Sequence, residues 1–354
     1  MQMTRLHPLV LAALAVLLLS ACAVPPPEAG AGSGAAAVMV WPSPPATARI
    51  RFVRSITTPQ DLGIRKSFFR RVLDMITGGS EAHFVRPSGV AERNEVVYVA
   101  DPGAQSVWIL DPVNNRTTRV HRVGDTELVS PVAVAVRADG AVFVADSWAG
   151  KVLLVDRKGN YLGVAAQAGL QRPVGLAYDD HNGRLYVADS AGQRIVVYNA
   201  NGDELFSWGT RGSGEGEFNY PTHLAFGNDD NLLVTDALNF RVQSFDRDGR
   251  FLRQFGRHGD SSGSFAAPKG IAVDSGRHIY IVDALFDTVQ IFGTDGTFLL
   301  AFGNQGSGPG QFWLPAGLFI NKRDRIFVAD AYNRRIQVFE FLHTAQPATS
   351  KRQP

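Results

Sequence analysis

The sequence of 354 residues contains a single cysteine, Cys22. One cysteine excludes an intrachain disulfide, and it excludes the paired cysteines that thiolate zinc sites and c-type haem attachment require. An excess of one charge is also missing, because 35 Lys and Arg residues stand against 33 Asp and Glu residues. This balance argues against nucleic acid as a partner. Beyond the first twenty residues, no apolar run reaches the ~18 residues expected of a transmembrane helix.

The N-terminus has the pattern of an export signal. Arg5 and His7 form a basic start, and an apolar run follows at Leu9–Leu19. This run is too short to cross a bilayer, which takes ~20 residues, and it fits the central region of a signal peptide. The run leads into Leu19-Ser20-Ala21-Cys22, which resembles the bacterial lipobox. The resemblance implies a signal peptide at residues 1–21, cleavage before Cys22 and attachment of lipid to its sulfur.

A lipidated Cys22 would leave the mature protein without a free thiol and would therefore exclude a cysteine nucleophile. The next residue is Ala23 and not Asp. By resemblance to Gram-negative lipoproteins, this implies a location in the cell envelope, at the outer membrane. Residues 22–48 are dominated by Pro, Gly, Ala and Ser, a composition that predicts a flexible tether. The polar residues 343–354 predict a disordered tail.

The rest of the chain repeats a short apolar run that ends in aspartate, with a proline upstream. By subtraction of residue numbers, the spacing between successive aspartates is 45, 43, 47, 47 and 47 residues. The aspartates are Asp101, Asp146, Asp189, Asp236, Asp283 and Asp330, and the prolines are Pro87, Pro131, Pro173, Pro221, Pro268 and Pro315. A period of roughly 40–50 residues filled with strand signals predicts a propeller or a solenoid.

Each repeat holds four strand signals separated by turn residues. We therefore predict an all-β fold, a six-bladed β-propeller of four-stranded antiparallel blades over residues 49–342. The last repeat ends near Leu342 without a fourth strand. Residues 50–56 have the same character as the fourth strand Phe251–Phe255, so we expect this N-terminal strand to complete the last blade and close the ring.

One short inserted helix is predicted at residues 65–77, between the closing strand and Pro87. Its apolar residues have helical spacing; they are Phe68, Phe69, Val72, Leu73 and Ile76. Two roles are open for this helix. It packs on the blade edges, or it forms a lid or docking element on the face that carries the proline loops.

The repeat motif resembles the NHL repeat. The matching residues are Pro221, Asp236, Asn239, Arg241, Val242, Gln243, Phe245, Asp246 and Gly249 in the fourth repeat, and Pro315, Gly317, Asp330, Asn333, Arg335, Ile336, Gln337 and Phe339 in the sixth. The resemblance covers about residues 50–342, and the first two repeats match least. It implies a propeller without specifying an activity, because one scaffold carries enzymes, binders and sensors.

The repeated aspartates are expected to be structural, accepting backbone N–H bonds from the tight turn that follows each of them. Propeller lyases of this repeat type place several histidines near the axis to hold a metal. Here only His223 occupies the matching position, where the other repeats have Gly or Ala. A zinc site needs three or four ligands, so we predict no metal and no cofactor, with His223 as a polar residue lining the channel.

One surface pattern remains, because the loops after the aspartates carry large apolar residues with arginines beside them. The candidate partner-binding residues are Trp148, Leu238, Phe240, Arg241, Leu285, Phe286, Tyr332 and Arg335. Aromatic residues and Arg are typical of protein-binding hot spots. We predict a non-catalytic lipoprotein whose propeller face binds an envelope protein. The alternatives are a metal-assisted lyase or lactonase, or a sensor that binds a glycan or another small ligand; the side chains could also pack between blades.

Overall fold

The computed structural model describes residues 39–65, 82–166, 169–227 and 229–343. Within these residues there are six antiparallel sheets, five of them four-stranded and one five-stranded, plus a two-stranded ribbon. In each sheet the first strand of the repeat lies innermost, around a central channel, and the following strands lie progressively further out. The predicted all-β, six-bladed propeller is confirmed.

The strands of each blade are named here in order from the axis outward. Blades 1, 2 and 3 consist of Gly89–Arg93, Val96–Asp101, Ser106–Asp111 and Arg116–Val120; Pro131–Val136, Val142–Asp146, Lys151–Val155 and Tyr161–Ala166; and Pro173–Asp179, Arg184–Asp189, Arg194–Tyr198 and Glu204–Trp208. Blades 4, 5 and 6 consist of Pro221–Phe226, Leu232–Asp236, Arg241–Phe245 and Phe251–Phe255; Pro268–Val273, Ile279–Asp283, Thr288–Phe292 and Phe298–Phe302; and Leu318–Ile320, Arg325–Asp330, Arg335–Phe341, Ile50–Ile56 and Val40–Trp41. The ribbon is Arg122–Val123 with Thr126–Glu127, and short 3-10 turns lie at Pro59–Leu62, Pro102–Ala104 and Ala237–Asn239.

The second and third strands carry the core. In blade 1, Val96–Asp101 and Ser106–Asp111 are buried along their whole length. A sheet that has other sheets on both faces buries both sets of side chains, which explains these continuous apolar runs. The fourth strand lies at the rim, and in blade 4 the residues of Phe251–Phe255 alternate between half-buried and exposed.

The N-terminal strand closes the ring, as the sequence predicts. Ile50–Ile56 pairs antiparallel with Arg335–Phe341, with Ile50 opposite Phe341 and Ile56 opposite Ile336. Both isoleucines are completely buried. Blade 6 therefore combines the two ends of the fold, and no covalent link is needed to hold the ring shut.

The folded part begins earlier than the sequence suggests. Val40–Trp41 pairs with Ile50 and Arg51 as a fifth strand of blade 6, and the Trp41 ring lies 5.8 Å from that of Phe339. The range 22–48 assigned to a tether is thus too long by about ten residues at its C-terminal end. Cys22 and the tail after residue 343 lie outside the described residues, and of the helix predicted at residues 65–77 only Arg65 is described. In the described part of the chain no helix has the length and apolarity to cross a bilayer.

Removing the closing strand should destabilise the propeller. A chain that starts at Thr57 loses the burial of Ile50 and Ile56, worth about 1.5–3 kcal/mol each, and leaves the edge of Arg335–Phe341 unpaired, which favours association. A chain that starts at Met39 should melt as a monomer at the temperature of the parent. A chain that starts at Arg49 keeps Ile50–Ile56 but lacks Val40–Trp41, so its melting temperature measures what Trp41 contributes to stability. Equal melting temperatures for the starts at Met39 and Thr57 would show that this strand does not close the ring.

Candidate functional site

One face of the ring carries two loops from every blade, and we call it the loop face. The first loop leads into the innermost strand, and the second joins the second strand to the third. The aspartate at the end of the second strand connects them. In blade 2 the Asp146 carboxylate accepts backbone N–H bonds from Val129 at 2.7 Å and Ser130 at 3.1 Å, and from Trp148 and Ala149 at 3.1 Å each.

The same carboxylate bridge occurs in all six blades. The six aspartates are completely buried. The incoming loops donate backbone N–H bonds from Val85, Arg86, Val129, Ser130, Gln171, Arg172, Asn219, Ala266, Ala267 and Trp313. A structural role for the aspartates is confirmed, with an addition, because all six hold the upstream loop. The predicted backbone N–H bonds from the following turn occur at Asp101, Asp146 and Asp283. At Asp236 and Asp330 the side-chain amides of Asn239 and Asn333 donate in their place.

Arg241 and Arg335 do not belong to the exposed surface, contrary to the prediction. Only 6% of Arg241 and 9% of Arg335 is exposed. Arg241 lies opposite Asp236 in the strand ladder, and its Nε donates to that carboxylate at 2.9 Å. Its remaining donors bind the carbonyl oxygens of Ser213 and Gly214 in the glycine-rich incoming loop. Arg335 repeats this arrangement with Asp330 at 2.7 Å. The two guanidinium groups therefore hold loops in place and are not available to a partner.

The apolar candidates fall into two groups. Trp148, Leu238, Leu285 and Tyr332 are exposed on the loop face, with 79%, 51%, 63% and 47% of their surface accessible. Phe240 and Phe286 are half-buried. The four exposed side chains do not pack between blades, so burial does not account for their size.

Sequence reasoning missed the incoming loops, which add further large side chains to the same face. Val85, Val129, Tyr220 and Trp313 are all exposed. Trp313 contacts Tyr332 with the ring centroids 5.5 Å apart, so the two loops of blade 6 form one aromatic surface. Their position in the repeat could have identified them, because these residues lie one or two places before the repeated prolines.

The loop face also carries arginines without acidic partners. They are Arg86, Arg172, Arg211, Arg257 and Arg334, all exposed. Among the described residues, no carboxylate lies within 4.0 Å of these five guanidinium groups. Several arginines on the opposite face are paired, as in Arg93–Asp180 at 2.9 Å, Arg184–Asp248 at 3.0 Å and Arg247–Asp230 at 2.7 Å. Within the described chain, the five arginines without a nearby carboxylate thus lie on the same face as the exposed apolar side chains.

The central channel is a cavity of about 720 Å³ lined by the innermost strands. His223 lies at its loop-face end, two residues after Pro221, where four blades have glycine. The glycines are needed there, since a Cβ on Gly175 or Gly317 would lie 2.2 Å from a backbone oxygen of the next blade. Burial, with the nearby charge of Lys269, lowers the pKa of His223 to about 3. The imidazole is therefore neutral at physiological pH.

A metal site is not assembled within the described part of the chain. No three side chains from His, Cys, Asp and Glu converge there in a way that could hold an ion. His223 alone is short of the three or four ligands of a zinc site. The absence of metal and cofactor stays a prediction, which elemental analysis of the purified protein tests.

Comparison with known proteins agrees with this architecture. The family model for the 6-bladed beta-propeller matches residues 222–289 and 276–352, and the model for the NHL repeat matches residues 170–198. The chain is a six-bladed β-propeller, and its third repeat matches the NHL repeat.

Individual relatives share the fold. Protein brain tumor of Drosophila melanogaster is 28% identical over 138 residues, which is 37% of this chain but only 13% of that protein. Virginiamycin B lyase from Staphylococcus aureus superimposes with a TM-score of 0.55 at 15% identity, over 73% of this chain and 96% of the lyase. An auxiliary nutrient binding protein from Bacteroides thetaiotaomicron gives 0.57 at 14% identity, over 73% and 70%. At these identities the structural matches establish the fold alone.

The neighbours Arg334 and Arg335 offer a matched test of the loop clamp. Arg335→Ala leaves the buried carboxylate of Asp330 without its counter-charge, so the free energy of unfolding should fall by about 3–5 kcal/mol. Arg334→Ala removes an exposed side chain and should change it by less than about 0.5 kcal/mol. Denaturant unfolding measures both values. Similar losses in the two variants would contradict the clamp.

The neutral His223 should make stability depend on pH. Between pH 6.5, the pKa of an ordinary histidine, and about pH 3, the unfolded chain binds a proton at this residue that the folded protein does not. Stability contributed at neutral pH is therefore lost as pH falls through this window. Urea unfolding from pH 7 to pH 4 should show a weaker decline for His223→Ala than for the parent. His181→Ala, at an exposed histidine, should follow the parent; parallel curves for parent and His223→Ala would refute the assignment.

Proposed function

We propose that this chain is an interaction module whose loop face binds a protein partner. The observation that carries the proposal is the coincidence, on one face, of exposed large apolar side chains and arginines that have no carboxylate within 4.0 Å in the described parts of the chain. Aromatic residues and Arg are enriched at protein interfaces and among hot spots. The partner that fits is an apolar patch with acidic side chains around it, since these would pair with Arg86, Arg172, Arg211, Arg257 and Arg334.

The rigidity of the loops supports the same proposal. Each loop pair is held by a buried aspartate, and in blades 4 and 6 also by a buried arginine. A surface fixed before binding loses little conformational entropy when a partner arrives. Trp148, Leu238, Leu285, Trp313 and Tyr332 would thus be presented in a geometry close to the bound one.

The setting that we propose is the bacterial cell envelope, with the propeller attached through a lipidated Cys22. Leu19-Ser20-Ala21-Cys22 and the apolar run before it support the anchor, and Ala23 supports the outer membrane.

Leu238 and Leu299 allow a matched test of the proposed surface. Both are leucines with 51% and 50% of their surface exposed, but Leu238 lies on the loop face and Leu299 on an outermost strand. A photoreactive amino acid at position 238 should cross-link the envelope protein partner, and the same group at position 299 should not. Cross-linking to lipid or glycan alone, or equal cross-linking from both positions, would refute the proposal.

With the partner identified, truncation should weaken its binding. Trp148→Ala should cost about 2 kcal/mol or more if Trp148 is a hot spot, which corresponds to roughly a thirtyfold higher Kd. Leu299→Ala should leave the Kd unchanged. Calorimetric titration gives both values, and the melting temperatures of the variants establish that the fold is retained. An unchanged Kd for Trp148→Ala and Leu238→Ala together would remove the apolar patch from the binding surface.

A further inference from the structure

Polar groups without partners meet at the loop-face end of the central channel. Nδ1 of His223 and Oγ1 of Thr222 are buried, and neither has a hydrogen-bond partner among the described residues. Buried polar atoms of this kind are uncommon, because each one loses its bonds to water without replacement. Two adjacent residues of one strand therefore have unused hydrogen-bonding capacity, and His223 lines the channel.

A lysine from the next blade adds a positive charge to this group. Lys269 is half-buried, and within the described chain no carboxylate lies at salt-bridge distance from its ammonium. Lys269 lies beside His223 in the fold, because Thr235, which is opposite His223 in the strand ladder, donates its hydroxyl to the Lys269 carbonyl oxygen at 2.9 Å. In agreement, burial lowers the pKa of Lys269, and burial together with the Lys269 charge lowers the pKa of His223. An ammonium group that has lost water and has no counter-charge favours an anion beside it.

This cluster exists at one blade junction only. At the position of His223, the other blades have Gly89, Ala133, Gly175, Gly270 and Gly317. None of these offers a side-chain donor or acceptor. A ligand would therefore bind off the sixfold centre, against blades 4 and 5.

The channel walls next to the cluster are apolar. They consist of Val90, Val134, Leu176, Leu224, Ile271 and Leu318 with alanines between them. The apolar stretch of each wall is three to five strand residues long, at roughly 3.3 Å each, so the apolar part of the channel is about 10–17 Å long. The cavity volume of about 720 Å³ lies in the range of small-molecule sites, roughly 300–1,000 Å³.

At the far mouth of the channel two arginines are paired, and Lys322 is exposed to solvent. Arg93 is paired with Asp180 at 2.9 Å, and Arg323 lies 3.3 Å from Glu95. The Glu92 carboxylate accepts a hydrogen bond from Asn321 at 2.6 Å. A ligand with one negative end would thus find its counter-charge at Lys269, and its apolar part would lie along the walls.

We propose that the channel binds an elongated apolar acid, whose carboxylate is held by Lys269, His223 and Thr222 and whose chain lies along the apolar walls. The carboxylate supplies the missing counter-charge and accepts hydrogen bonds from the ammonium, the hydroxyl and the neutral imidazole. A small inorganic anion would satisfy the polar end but leave the apolar channel unfilled. The site is separate from the loop-face surface and does not depend on the proposed protein partner.

Dodecanoate is a suitable probe, with dodecan-1-ol as the matched ligand that lacks the carboxylate. Calorimetric titration of the full chain at pH 7.5, below the micelle concentration, should show saturable binding of dodecanoate and at least about tenfold weaker binding of the alcohol. Lys269→Met keeps the length of the side chain and removes the charge, and it should weaken dodecanoate about tenfold or more. Lys322→Met, at the opposite mouth, should bind as the parent does.

A titration of the protein without substitutions complements the variants. A bound carboxylate beside the imidazole should raise the pKa of His223. NMR should therefore show the protonation of His223 at a higher pH in the presence of dodecanoate than in its absence. Four results would overturn the proposal: no saturable binding, equal affinity for acid and alcohol, loss of binding in Lys322→Met but not Lys269→Met, or an unchanged His223 titration at saturation.

Discussion

The buried carboxylate at the end of each second strand is the interaction on which the rest of the propeller depends. It holds the incoming loop against the turn after the second strand, as Asp146 does with Val129 and Trp148. The incoming loop leads into the innermost strand of the same blade, so the carboxylate fixes where each blade begins relative to its own second strand. Charge buried in this way is stable only because several N–H donors surround it. The regular spacing of the aspartates therefore reflects a backbone requirement and not a shared chemistry.

Much of the fold could be predicted from the sequence because its determinants are local and repeated. The blades could be predicted from the apolar runs, the turn residues and the regular spacing of the repeats. The role of Ile50–Ile56 could be predicted because the last repeat lacks a fourth strand. What could not be predicted depends on contacts between distant segments. Val40–Trp41 is too short to be recognised as a strand, and it forms because Trp41 packs on Phe302 and Phe339. Arg241 and Arg335 stand beside exposed residues in the sequence, but their donors reach loops more than twenty residues upstream.

Only half of the candidate surface could be predicted from the sequence. Reading two positions past each aspartate found Trp148, Leu238, Leu285 and Tyr332, all of which are exposed. The complementary half, with Trp313 and Tyr220, lies in the incoming loops. The carboxylate bridge and backbone hydrogen bonds between the two loops, such as that from Tyr332 N–H to the Trp313 carbonyl oxygen, bring it to the same face. His223 was placed correctly on the channel, but the low pKa of its imidazole comes from burial and, to a lesser extent, from the charge of Lys269 on another blade. Neither cause leaves a trace in the period of the sequence.

The position of the closing strand has a consequence for how the protein comes to be folded. Ile50–Ile56 is made early in synthesis, but the strand that it pairs with, Arg335–Phe341, is made last. Until then the early segment has no partner, and blade 6 presents an open edge at both ends of the growing ring. Contacts between the two ends of a chain form slowly, and unpaired strand edges in incomplete chains associate with one another. The propeller is thus most vulnerable just before completion, so holding chaperones would matter most for the segment that emerges first.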